Sequence, residues 1–199
     1  MKIKNILVPA IAIALMAVLL LAVGSGTSAI RAENIQKAHV EMMQLLLPGS
    51  ENFVLEPYTG DDVNIRSVHK AENGFVVETS AYGYAGDITM TVGVNNAGRV
   101  TGLVIRDMEE TLGLGRNALT DHVFLAQFLN STGSFAVATG ADAVSFATSE
   151  EPAAEGGEVS VDAITGATVT SKAIVRAVNS AVAFVTGADA ASSATTWGG

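Results

Sequence analysis

Hydrophobic and polar positions change rhythm along the chain, and each change marks an expected element. After Lys2 and Lys4 the run from Ile6 to Val23 is uncharged and almost wholly apolar, interrupted only by Pro9. At roughly eighteen residues it is long enough to cross a bilayer as a helix, and the lysines before it put the rest of the protein outside the cytoplasm. A cleaved signal peptide is the alternative: small residues follow from Gly24 to Ala29, but the apolar core of such a peptide is usually shorter, about 7 to 15 residues. From Ala29 to Leu47 the apolar side chains Ile30, Ile35, Ala38, Met42, Leu45 and Leu46 recur at helical intervals, with Glu33, Lys37 and Glu41 on another face. The membrane helix is expected to continue into this one, which Pro48-Gly49 ends.

Beyond a mixed connection from Glu51 to Asp62 the period falls to two. Ile65 to Lys70 and Phe75 to Ala81 flank Glu72-Asn73-Gly74, a hairpin signal because Asn and Gly both tolerate positive φ. Asp87 to Val94 puts Ile88, Met90, Val92 and Val94 on one face. Asn95-Asn96-Ala97-Gly98 turns the chain, and Arg99 to Arg106 returns. The pattern predicts an antiparallel sheet. Thr120 or Asp121 opens a short helix through Val123, Phe124, Phe128 and Leu129, closed by Asn130-Ser131-Thr132-Gly133. Phe135 to Gly157 is rich in Ala, Gly, Ser and Glu and is expected to be an acidic surface loop, mobile over 134–157. Val159 to Ile164 is a short strand. Ala173, Ile174, Ala177, Val178, Ala181, Val182 and Val185 follow at helical spacing, with Thr170 or Ser171 as the expected N-cap.

This pattern gives the elements of an α+β protein preceded by one N-terminal transmembrane helix; their assembly as a twisted antiparallel sheet packed with helices leans on the resemblance described below. The expected divisions are an anchor at 1–28, a juxtamembrane helix at 29–49, an extracytoplasmic domain at 50–185 and a disordered tail at 186–199. The length of 199 residues allows one such domain beside the anchor. The net charge of -9 argues against nucleic acid as a partner, because such binders neutralise phosphates with dense Lys and Arg patches. Cysteine is absent, which excludes disulfides, thiolate metal sites and cysteine-ligated clusters. His39, His69 and His122 lack metal-binding spacing, and no Ser/His/Asp constellation points to a hydrolase. The anchor carries no intramembrane acid or base, so it offers no ion path.

The chemistry concentrates in Asp162-Ala163-Ile164-Thr165-Gly166-Ala167-Thr168-Val169-Thr170-Ser171-Lys172, four hydroxyls and one glycine at the head of an amphipathic run. A helix N-terminus leaves its first N–H groups unpaired and carries a partial positive charge, and Gly166 lets backbone approach an anion. Such a turn either seats or attaches a phosphate, or it does nothing except cap a helix.

Asp-x-x-Thr-Gly-Ala-Thr resembles the flavinylation motif of FMN-binding domains in Rnf and sodium-pumping NADH:quinone oxidoreductase complexes. In that family the last threonine of Gly-Ala-Thr carries FMN through a phosphoester. The resemblance assigns that role to Thr168, with Thr170 as the other candidate acceptor. Thr165, Thr170 and Ser171 would then donate to phosphate oxygens, while Gly166, Ala167 and Val169 shape the turn. Asp162 would fix the turn or serve the attaching enzyme, a magnesium-dependent flavin transferase in the family. Lys172 is either a solvated first-turn lysine or an added charge.

Two weaker matches occur in the family's order. Glu110-Thr111-Leu112-Gly113-Leu114-Gly115 resembles its Glu-Thr-Pro-Gly-Leu-Gly loop, which lies against the flavin ring, so Glu110, Thr111, Gly113 and Leu114 are expected near the cofactor. Leu112 replaces the proline, and Met108 stands where a histidine is frequent. Gly83-Tyr84-Ala85-Gly86-Asp87-Ile88 resembles the Gly-Tyr-x-Gly-x-Ile entry to the central strand. Tyr84 is either near the flavin or a plain strand-edge aromatic.

The resemblance thus implies covalent FMN, other membrane subunits of an electron-transport complex as partners, and the role of electron carrier within an Rnf-type ion-translocating ferredoxin:NAD oxidoreductase. A stand-alone extracytosolic FMN carrier for another reductase and a reversible FMN-binding or sensory module are the alternatives.

Overall fold

The computed structural model describes residues 4–110, 115, 121–138 and 158–187. Met1–Met42 form one compact unit and Met43–Gly199 a second. In the first, helix α1 (Lys4–Leu46, 43 residues) runs without a break through both helical patterns of the sequence and ends within the second unit. Lys37 and Glu33 pair at 2.7 Å across one turn of its exposed surface. Among the described residues no helix is long and apolar enough to cross a membrane. Within the apolar run, the side chains of residues 6–10, 12 and 21–23 lie outside the described residues.

The second unit is built on a five-stranded antiparallel meander, β1 (Val54–Glu56), β2 (Ile65–Ala71), β3 (Gly74–Tyr82), β4 (Asp87–Asn95) and β5 (Val100–Met108), in sequential order. Its turns follow from residue chemistry. Gly74 has φ 154°, and a Cβ there would lie 2.2 Å from the Val94 carbonyl oxygen, so only glycine fits the close approach of β3 to β4. Asn95 accepts the N–H groups of Ala97 and Arg99 at 3.0 and 2.9 Å, folding its own turn. β1 is a three-residue edge strand within the expected connection.

Alternation in β4 places Ile88, Met90, Val92 and Val94 in the core, each fully buried. Helix α3 (Thr168–Thr186, 19 residues) covers that face with Ala173, Ile174, Ala177, Val178, Ala181 and Val182. At about 1.5 Å per residue its 19 residues span about 28 Å, close to the roughly 30 Å of a nine-residue strand. The helix therefore covers the sheet from one end to the other, stopping at Gly187 in the left-handed conformation, φ 69°. Helix α2 (His122–Ala126) is capped by Asp121, which accepts from Val123 and Phe124 N–H, and it adds Phe124 to the core. Near the second unit's start, a Cβ on Gly93 would lie 2.1 Å from the Leu46 carbonyl oxygen, and Thr101 Oγ1 donates to that same oxygen at 2.5 Å. The small strand residue lets the helix end sit directly on the sheet.

Two features depart from the sequence reading. Ser134–Ala138, expected within the acidic loop, is strand β6, and it pairs in parallel with β7 (Glu158–Asp162). The rest of that loop, 139–157, lies outside the described residues, as does the tail beyond 187. What secures β6 is a side chain on α3: buried Asn179 accepts from Phe135 N–H and donates to Phe135 C=O, both at 2.8 Å. Removing that amide would orphan two buried backbone groups, at about 1–3 kcal/mol each. The second departure is the cap of α3. The helix starts at Thr168 with Ala167 as N-cap, so neither Thr170 nor Ser171 caps it. Ser171 instead lies one turn inside, its hydroxyl donating back to Ala167 C=O at 3.0 Å and accepting Ile164 N–H at 3.3 Å.

Candidate functional site

β7 delivers the chain to the head of α3 through a turn at Thr165-Gly166. Gly166 takes φ 81°, and Ala167 N–H donates to Ile164 C=O at 2.9 Å. The first amide to enter the helical pattern is Ser171 N–H, bonded to Ala167 C=O at 2.8 Å. The amides of Thr168, Val169 and Thr170 precede it, where a helix supplies no acceptor. No side chain caps this end and no acidic residue occupies its first turn. The positive end of the helix dipole is therefore left uncompensated by its own residues.

The hydroxyls at this end divide by exposure. Thr165 and Thr168 are exposed, with Gly166, Val169 and Lys172, whereas Thr170 is 1% exposed and Ser171 fully buried. Ala167 is buried beneath the turn. Asp162 is half-buried, and its backbone is held by Gln127 of the α2 turn: Asp162 N–H donates to Gln127 Oε1 at 2.8 Å, and Gln127 Nε2 donates to Asp162 C=O at 3.4 Å. The bonds recorded at Asp162 are thus main-chain bonds. Gln127 carries no motif signal; only its place after an amphipathic turn could draw attention to it.

The other matched segments meet the same end. Gly83 N–H donates to Gly86 C=O at 2.8 Å, closing the β3–β4 turn, and Tyr84 projects from it with 70% of its surface exposed. Glu110 reaches across from the end of β5, and its Oε1 accepts Tyr84 N–H at 2.7 Å. Among the described residues its second oxygen is buried without a hydrogen-bond partner, as is Thr170 Oγ1. Both face Gly115: a Cβ on that residue would lie 2.4 Å from Glu110 Oε2 and 3.0 Å from Thr170 Oγ1. Glu110, Tyr84, Gly115 and the head of α3 are therefore neighbours, although the sequence separates Tyr84 from Thr170 by four strands and a helix. Thr111, Gly113 and Leu114 lie outside the described residues. Arg176, two turns along α3 from Thr168, donates from Nη2 to the Tyr82 carbonyl at 2.7 Å. No motif marks it in the sequence, although Thr168, Lys172 and Arg176 recur every four residues along one side of the helix.

Among the described residues no three His, Cys, Asp or Glu side chains gather as a metal site. The arrangement instead offers an exposed hydroxyl at a positive helix end, beside amides with no partner among the described residues, which suits an anion or a phosphate ester. A sheet meander covered by a helix, with this turn at the helix head, defines an α+β domain. The FMN-binding domain family matches this chain over residues 83–183, which includes the Tyr84 turn, Glu110, Gly115 and the whole threonine turn. The chain belongs to that family.

Its relatives include the G subunit of the ion-translocating oxidoreductase complex of Methanosarcina acetivorans, 31% identical over 157 residues, or 73% of each chain. The G subunit of the proton-translocating ferredoxin:NAD(+) oxidoreductase complex of Clostridium ljungdahlii is 35% identical over 112 residues, covering 56% of this chain and 53% of that protein. The Na(+)-translocating counterpart of Acetobacterium woodii is 33% identical over 110 residues, covering 55% and 47%. The match thus spans about half the length of the two ferredoxin:NAD(+) oxidoreductase subunits.

FMN is the cofactor that the family implies, and the residues present fit it. The leading amides and exposed hydroxyls at the head of α3 suit its phosphate.

Proposed function

We propose that this protein is the electron-carrying G-type subunit of an Rnf-type ion-translocating ferredoxin:NAD oxidoreductase, with FMN held as a phosphoester on Thr168. In this reading Ile6–Val23 is a single membrane anchor and residues 50–185 lie outside the cytoplasm. The observation that carries the attachment site is the contrast between neighbouring hydroxyls. Thr168 is exposed at the first position of α3, whereas Thr170 and Ser171 are buried beneath it. A flavin transferase therefore has open access to Thr168, but reaching Thr170 requires the helix head to come apart.

When bound, the flavin ring supplies the electron chemistry. The chain's own residues hold and orient. The amides of Thr168, Val169 and Thr170 donate to phosphate oxygens, assisted by the helix dipole. Thr165, exposed in the turn, adds a hydroxyl donor. Ser171 acts from beneath by holding Ala167 and Ile164, so the turn keeps its shape when the hydroxyl above it is esterified. Tyr84 and the Glu110 loop border the same end. Esterification retains the cofactor where free FMN is scarce.

The test is intact mass and peptide mapping of the full chain coexpressed with a flavin transferase. An FMN phosphoester on the peptide containing Thr168, lost in Thr168→Ala, supports the reading. Retained covalent flavin in that variant moves the attachment to Thr170. An unmodified mass in the wild-type chain defeats the covalent carrier and favours reversible FMN binding. Copurification of membrane subunits handling ferredoxin and NAD tests the assignment to a complex, and their absence points to a stand-alone carrier.

A further inference from the structure

The turn bearing Tyr84 is held by two charged side chains from opposite parts of the domain. On one side Arg176 of α3 donates to Tyr82 C=O at 2.7 Å. On the other, Glu110 accepts Tyr84 N–H at 2.7 Å. Both bonds are charge-assisted and end on main chain, so they fix the path of the turn and leave the tyrosine side chains free. Tyr82 and Tyr84 are indeed 65% and 70% exposed.

The surroundings of Glu110 are fitted to its carboxylate. A Cβ on Gly83 would lie 2.1 Å from Oε1, and one on Gly115 would lie 2.4 Å from Oε2. Any side chain at either position would displace the carboxylate. A Cβ on Gly115 would also lie 3.0 Å from Thr170 Oγ1 in the first turn of α3, so Gly115 borders both the carboxylate and the helix head. Arg176 extends from the same helix two turns on. The aromatic turn is thus tied to α3 through the guanidinium and to the end of β5 through the carboxylate.

We propose that Glu110 and Arg176 are positioning residues that bracket the Tyr82-Gly83-Tyr84 turn, Arg176 locking it to the helix carrying the attachment threonine and Glu110 to the end of β5. Neither needs to touch the flavin. Their work is to keep an exposed aromatic pair and an esterified hydroxyl in one fixed relation, so that a ring tethered at Thr168 meets the same surface in every molecule. Preorganisation of this kind depends on the shell behind the contact residues. The role rests on the flavin reading above, but the bracket itself can be measured without flavin.

The test uses the full chain, first made without a flavin transferase. Amide exchange at Tyr84, followed by NMR, should accelerate by about tenfold or more in Glu110→Ala, the effect of losing one charge-assisted hydrogen bond. Glu110→Gln keeps an acceptor oxygen and should restore protection. Gly83→Ala, which displaces the carboxylate without removing it, should behave like Glu110→Ala. Arg176→Ala should also accelerate exchange at Tyr84, with partial recovery in Arg176→Lys. Unchanged Tyr84 exchange in Glu110→Ala and Gly83→Ala overturns the bracket, whatever the flavin does.

In the loaded protein the visible circular dichroism of the flavin should change in Glu110→Ala and Arg176→Ala and return in Glu110→Gln. A freed turn with an unaltered flavin spectrum overturns the positioning role while leaving the flavin reading intact. A wild-type chain that never takes up flavin defeats the functional reading, and the exchange data still decide the bracket.

Discussion

The two ends of the five-stranded sheet are made of similar residues, glycines and small polar side chains in tight turns, but they dispose of their polar groups differently. At the Gly74 end Asn73 donates to Gly49 C=O, Asn96 donates to Glu72 C=O, and Asn95 accepts two amides of its own turn. At the Tyr82 end the amides heading α3 precede the helical bonding pattern, Thr165 and Thr168 are exposed to solvent, and Glu110 and Thr170 each keep a buried oxygen without a partner among the described residues. Leaving buried polar atoms unsatisfied costs stability. Ser50 and Thr132, toward the Gly74 end, also keep a buried hydroxyl without a partner among the described residues, so the ends differ in the exposed hydroxyls and leading helix amides of the Tyr82 end rather than in buried unsatisfied atoms. Polar residues whose hydrogen bonds are complete hold a structure together, and polar residues with capacity left over can bind.

Four substitutions or conditions sharpen that contrast, in decreasing order of expected effect on stability. Gly74→Ala forces a Cβ against the Val94 carbonyl and should cost about 2–4 kcal/mol in chemical denaturation, with normal flavin loading below the new melting point. Gly166→Ala places a side chain at φ 81° in an exposed turn. It should cost only about 1 kcal/mol, yet slow covalent loading in a time course with a flavin transferase. Thr168→Ala removes an exposed hydroxyl and should alter stability by less than about 0.5 kcal/mol, while abolishing the covalent flavin mass. Stability and loading should therefore rank these three variants in opposite orders. If Gly74→Ala blocks loading as completely as Thr168→Ala while still folded, the division between the ends fails.

The smallest effect is expected from pH. Glu72 at the Gly74 end is held below the ordinary glutamate range, first by the Asn52 side chain and then by Glu51 N–H. Its carboxylate is more acidic folded than unfolded, so its contribution is complete above the unfolded value. That contribution is lost as pH falls through the depressed folded value. Full exposure keeps the effect small. Glu72→Gln should remove a slight acid-side fall in melting temperature and change nothing near neutrality.

Much of this architecture is legible in the sequence where a period is long enough to read. The β4–β5 hairpin follows from Ile88, Met90, Val92 and Val94 alternating up to an Asn-Asn-Ala-Gly turn, and α3 follows from its small apolar face. The pair β6–β7 does not, because each strand has five residues, β6 lies in an Ala- and Gly-rich stretch, and its partner comes from across residues 139–157. The N-cap of α3 escapes a sequence reading for a related reason. Residue preference favours Thr170 or Ser171, but Ser171 already gives its hydroxyl to Ala167, and the helix begins a turn earlier on an alanine. For the site, the threonine turn can be singled out from its hydroxyls and its resemblance to a family motif. That Glu110 reaches Tyr84 N–H cannot, because such a contact depends on two turns meeting at the same sheet end. Arg176 bears on the site through a main-chain carbonyl, and no side-chain motif records that.

The parallel pairing of β6 and β7 also sets the order in which the molecule is expected to assemble. The meander β1–β5 is joined by consecutive hairpins, with contacts between near neighbours in sequence, whereas Ser134 must find Glu158 across an intervening segment. Local pairings form quickly and distant ones late. Pulse-labelled amide exchange during refolding should protect β3 and β4 before β7. Because β7 leads directly into the turn at Thr165-Gly166, Thr168 takes up its final surroundings among the last residues of the domain. If FMN is attached at Thr168 as proposed, an enzyme that recognises the finished turn would act only on chains that have completed folding, and the flavin would mark a chain as assembled.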